Sequence, residues 1–215
     1  MKNPKDDMPP SKQIEELLYQ ALETEIGGVA VYENAIRCAQ NPDLKEEWEK
    51  YLEQTKNHER ILRKLLASLD LDAERETAGR RIVRHHGKSL VHAMSMAQKD
   101  GTPDAAELVA AECVVMAETK DHQNWSLIGE LAKGLTGKAS AALAQAYDKV
   151  EDEEDEHLYH STGWARELWL QSLGLPAVLP PPEEKKDVKT AAEAAQAKTS
   201  RKEMLGKAPP ARGAR

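Results

Sequence analysis

Read at helical spacing, Leu143, Tyr147, Val150, Glu154, His157, Ser161, Trp164 and Leu168 fall on one stripe of an α-helix. The ends of the stripe are apolar and its middle is a Glu-x-x-His pair. Three other stretches share this design. Ile14, Leu18, Leu22, Glu25, Val29, Tyr32 and Ile36 predict a helix from Ser11 to about Gln40. After the turn Asn41-Pro42-Asp43, a second helix to about Leu69 is predicted by Leu44, Trp48, Tyr51, Thr55, His58, Leu62 and Leu65. Thr102-Pro103 starts a third, with Leu108, Ala111, Val115, Glu118, His122, Trp125 and Ala132 on one side, ending near Lys133. The fourth runs from Lys138 to Leu173, where Gly174 and Pro176 stop it. Between the second and third, Asp70–Gly101 reads as a long crossover whose middle, Arg80–Gln98, has a helical face of its own. No stretch alternates as a strand would, so the fold class is all-α.

Outside these helices the pattern fades. Met1–Pro10 has no periodicity and reads as a disordered N-terminus. From Pro176 to Arg215 the chain is rich in Pro, Ala and Lys: Leu179-Pro-Pro-Pro182 is a stiff spacer, and Val188–Lys198 can form one Ala-rich helix. The expected organisation is a helical domain over residues 11–175 and a mostly disordered tail over 176–215.

Composition agrees with helix: charged residues reach 31%, aromatics only 4%, and Phe is absent. No apolar run is long enough to span a membrane, and the N-terminus lacks the apolar segment of a signal peptide. Cys38 and Cys113 form no C-x-x-C, which leaves neither a thiolate metal knot nor a disulfide framework. The expectation is a cytoplasmic protein. Net charge is −7, yet from Glu183 onward nine Lys/Arg stand against five Asp/Glu, so the body is strongly acidic. That balance disfavours nucleic acid as a partner.

The informative feature is the polar residue buried in each apolar stripe. Glu25 lies 16 residues before Asn41, His58 lies 16 after Pro42, Glu118 lies 16 before Gly134, and Glu154 lies 17 after Gly137. Folded as two antiparallel hairpins, these helices bring Glu25, His58, Glu118, Glu154 and His157 to one level. Burying ionised carboxylates in an apolar interior costs several kcal/mol unless something pairs with them. Metal ions answer that cost, and Glu-x-x-His is a helical way of presenting ligands.

On these residues the chain resembles the ferritin-like superfamily of ferritins, rubrerythrins and manganese catalases. The resemblance covers about Ser11 to Leu175. Glu25 with an aromatic seven residues on, Tyr32, is similar to the first helix of ferritins and rubrerythrins. Glu154-x-x-His157 matches the last-helix motif, and Asp70–Gly101 matches the long crossover. The resemblance implies a four-helix bundle with a dinuclear iron or manganese site, Glu25 and Glu118 as single carboxylates, and His58, Glu154 and His157 as further ligands. It departs from the pattern at Thr55-x-x-His58, where the family has Glu-x-x-His. Either Glu59 swings in, or the site is under-ligated or asymmetric.

Two functions follow as expectations. The first is a metal protein that handles dioxygen or peroxide, or oxidises metal ions. The second is a ferritin-like scaffold or stress-associated binding protein that has lost part of the metal site, the reading that Thr55 favours. Metal ions are the expected partners. A homo-oligomer is compatible with the sequence, and nothing in it speaks for a cage. His122 and His160 read as supporting or partly exposed residues, Tyr32 and Trp125 as core packing.

Overall fold

The side chain of Ser11 accepts a hydrogen bond from the backbone N–H of Ile14 and starts α1, Lys12–Cys38. In the computed structural model, which describes residues 11–206, α-helices follow in succession. They are α2 (Pro42–Ser68), α3 (Ala78–Asp100), α4 (Pro103–Gly134), α5 (Gly137–Tyr147), α6 (Glu151–Ser172), α7 (Pro182–Lys185) and α8 (Ala191–Leu205). No strand occurs among the described residues. Asn41, Thr77 and Thr102 cap α2, α3 and α4 through their side chains, satisfying backbone N–H groups that a helix start leaves without partners. The short link Ala39–Asn41 turns α2 back along α1. It is held by Glu107 of α4, whose Oε1 accepts from the N–H groups of Gln40 and Asn41, each at 2.6 Å.

α1 packs against α2, α3 and α4, and α4 against α5 and α6. α3, the helix inside the expected crossover, lies along α1 and α4. The interior is two apolar clusters. One contains Tyr32, Trp48, Tyr51, Val114 and Trp164; the other contains Leu18, Leu22, Leu62, Trp125 and Leu143. Between them runs a band of buried polar side chains. No helix among the described residues is long and apolar enough to cross a membrane.

Two expectations are corrected. The fourth helix is not continuous: Asp148–Val150 forms a turn that separates α5 from α6. The acidic run explains the break. In one long helix these acids would lie in mid-helix, away from the positive end of the dipole. A new start at Glu151 instead places Glu151, Asp152, Glu153 and Glu154 in a first turn, where the helix dipole favours negative charge.

The expected Ala-rich helix of the tail is present as α8, and the rest of the tail is the second correction. Pro176–Gly206 is not a loose extension but a docked strap carrying α7 and α8. It buries Val178, Val188 and Ala197, and polar contacts anchor it. Arg201 reaches the fully buried Glu167 of α6 at 2.6 and 3.0 Å, and the Val178 N–H donates to the same carboxylate at 2.8 Å. Arg166 of α6 pairs with Glu183 of α7 through two bonds of 2.7 and 2.8 Å. Gly163 makes room for it, since a Cβ there would lie 2.7 Å from Glu183 Oε2. The segments Met1–Pro10 and Lys207–Arg215 lie outside the described residues.

Candidate metal centre

Glu25 of α1, His58 of α2, Glu118 of α4, and Glu154 and His157 of α6 meet in the polar band, and none is more than 3% exposed. Ligand-type atoms of His58, Glu154 and His157 lie within 4.8 Å of one another, as do those of Glu25, Asp121 and Glu154. The two groups share Glu154, so this carboxylate stands between two adjacent places where a cation can be held.

The imidazoles are aimed by their outer nitrogens. His58 Nε2 lies 2.7 Å from Glu153 Oε2, and His157 Nε2 lies 2.9 Å from Gln54 Oε1. An amide oxygen only accepts, so His157 carries its proton on Nε2 and turns the Nδ1 lone pair inward. The carboxylate of Glu153 fixes His58 in the same sense. On the carboxylate side, Trp125 Nε1 donates to Glu25 Oε1 at 2.7 Å and leaves Oε2 for the interior. The inward atoms are then Glu25 Oε2, His58 Nδ1, Glu118 Oε2, Asp121 Oδ1, Glu154 Oε2 and His157 Nδ1. All six are buried and accept or donate no hydrogen bond. Buried polar atoms are normally satisfied, and six unsatisfied ones gathered in one buried band could hold cations.

Burial is the main reason that the Glu25, Asp121 and Glu154 carboxyls are held well above their ordinary range. Mutual repulsion adds to it: Asp121 and Glu154 act on Glu25, Glu154 and Glu118 on Asp121, and Glu118 on Glu154. The site therefore retains protons or takes up cations. Glu153, with one edge toward solvent, is pushed the other way by its bond to His58.

Asp121 is the ligand-type residue that sequence reasoning missed. It follows Glu118 by three positions, as His157 follows Glu154, and that spacing was the available signal. Its neighbours Lys120 and His122 disguised it as part of a polar face. Thr55 is no ligand but a packing residue: its methyl lies where a Cβ on Gly28 would come within 3.2 Å. Glu59 does not swing in, because Arg63 holds it at 2.7 Å.

Compared with family models, characterised proteins and solved structures, the chain matches none.

The remaining candidates sort by contact. His122 is partly exposed and pairs with Asp155 at 2.7 Å, away from the centre. His160 joins a neighbouring cluster, with Nδ1 at 3.0 Å from Glu47 Oε1 and 3.1 Å from the Tyr51 hydroxyl. Tyr51 links that cluster to the centre, since its ring lies against His157 with centroids 4.1 Å apart. Chemically, the band offers buried carboxylate and imidazole donors, a set suited to binding metal ions.

Proposed function

We propose that this chain is a ferritin-like dinuclear metal protein, holding iron or manganese and working in the redox handling of dioxygen or peroxide, or in metal-ion oxidation. The observation that carries the reading is the convergence of six buried ligand atoms without hydrogen bonds, with Glu154 common to both groups. Charge favours two ions. Glu25, Glu118, Asp121 and Glu154 carry four negative charges when ionised, which two divalent cations neutralise. His58, His157 and Glu154 would hold one ion, and Glu25, Asp121 and Glu154 the other, with Glu118 beside His157 at 3.5 Å.

When bound, a redox metal pair supplies the electrons that reduce dioxygen or peroxide, or is itself the ion being oxidised. The protein's part is positioning. Glu153 and Gln54 fix the two imidazoles, Trp125 fixes Glu25, and the apolar clusters on either side exclude water. Oxygen and nitrogen donors of this kind suit iron and manganese and do not separate them.

The second reading is a ferritin-like scaffold without turnover, favoured by Thr55, which places a methyl where the family pattern has a carboxylate. Oxidant consumption separates the two. Protein loaded with Fe²⁺ or Mn²⁺ is expected to consume dioxygen or hydrogen peroxide faster than the free ion does, and Glu154→Gln to abolish the excess. Metal-loaded protein that consumes neither supports the scaffold.

A further inference from the structure

A cavity of about 360 Å³ lies on the flank of the molecule, between α1, α3 and α4. Its floor exists because side chains are missing from it. Gly27 of α1 faces Gly87 of α3 so closely that a Cβ on Gly87 would lie 3.4 Å from the Gly27 Cα. Ala117 of α4 completes the floor, and Val31, Val83 and Leu90 form the walls. Met116, 54% exposed, stands at the rim. A recess of this size with an almost wholly apolar lining is what small apolar molecules occupy.

The polar groups around it are unequal. Glu23 reaches the cavity, but its carboxylate is engaged by Arg80 at 2.9 Å and by Arg84 at 2.6 and 2.9 Å. Thr24 donates to the Gln20 carbonyl and accepts from Asn124, each at 2.9 Å. Lys120 differs. It is half-buried at the edge of the cavity, and its hydrogen-bond partner is the neutral amide oxygen of Asn124. An ammonium beside an apolar recess, with an uncharged partner, complements an anionic head on an apolar body.

We infer that this cavity binds a small amphipathic carboxylate, with its apolar portion over Gly27, Gly87 and Ala117 and its carboxylate on Lys120. The inference is independent of the metal reading, because no cavity residue is among the six inward-facing ligands.

Decanoate and decanol, titrated into the full chain by calorimetry, test it. Decanoate is expected to bind saturably and more tightly than decanol by about ten- to a hundredfold, the worth of one charge-assisted hydrogen bond. Lys120→Met should erase that preference while decanol still binds. Ala117→Leu, which fills the floor, should weaken both, with circular dichroism checking that each variant keeps its helix content. Glu154→Gln should leave decanoate binding unchanged. Equal binding of decanoate and decanol, a preference that survives Lys120→Met, or no saturable binding of decanoate would each overturn the assignment.

Discussion

His58 Nδ1 lies 2.9 Å from Glu154 Oε1, across the contact between α2 and α6, and makes no hydrogen bond. Its other nitrogen is committed to Glu153, so the short approach sets Nδ1 against a carboxyl that burial holds well above its ordinary range. Removing the outer partner should loosen the inner one. Glu153→Ala is expected to weaken metal affinity by about ten- to a hundredfold, the usual effect of losing a group that orients a metal-bound histidine. Metal titration followed by competition with a chelator measures this, and helix content should not change.

Proton linkage gives the metal-free protein an unusual pH dependence. Glu25, Asp121 and Glu154 bind protons more tightly folded than unfolded. Their contribution to stability is fully present below the unfolded carboxyl value and is lost as pH rises through the folded ones. With a chelator present, the melting temperature should therefore fall as pH rises above the ordinary glutamate value of 4.5. Glu154→Gln should flatten that fall and leave the metal-free fold intact, or firmer at the high-pH end, where it removes a buried charge. Thermal melts across pH, with and without the substitution, provide the check. A wild-type melting temperature that is flat or rising there would contradict the linkage.

The strap carries a second titrating pair. Burial beside Glu47 raises the Glu184 carboxyl from 4.5 to about 8. Burial pushes Glu47 up as well, but hydrogen bonds from His160 and Tyr51 outweigh it and keep Glu47 ionised. Glu184 thus holds a proton and shares it with Glu47. Its folded value is raised, so its contribution is present at low pH and fades as pH rises from about 4.5 toward 8. Hydrogen exchange in α7 should accelerate over that window in the wild type, whereas Glu184→Gln should show a weaker dependence on pH.

Docking of the strap is open to a direct test at Arg201. Its side chain is 20% exposed and bonds both oxygens of the fully buried Glu167. Arg201→Ala leaves Arg166 as the remaining arginine on that carboxylate and should cost about 1–2 kcal/mol, with metal content unchanged. Denaturant unfolding reads the loss. No change in midpoint would mean that the Arg201–Glu167 pair adds nothing to the stability of the fold.

What the chain reveals before folding depends on which force fixes each part. The four stripes, and the shared depth of Glu25, His58, Glu118, Glu154 and His157, follow from apolar periodicity and from counts to the turns. Both are local properties of the chain. Asp121 was hidden because its direction depends on where α1 and α6 lie relative to α4, and its immediate neighbours are polar. Glu153 was hidden inside an acidic run, since only the break at Val150 decides which of those acids opens a new helix and faces His58. The strap escaped for another reason. Few apolar residues dock it, and the ion pairs that help, Arg201–Glu167 and Arg166–Glu183, join distant residues and leave no trace in a hydrophobic pattern.

The number of metal ions held per chain tests the central claim most directly. Protein loaded anaerobically with Fe²⁺ or Mn²⁺ and then desalted should retain about two ions per chain, as expected of a paired carboxylate and histidine site. Asp121→Asn should lower that number toward one, because it removes a ligand from the group containing Glu25 and leaves the group containing His58 and His157. Retention of no metal by the wild type, or an unchanged number in Asp121→Asn, would contradict the account.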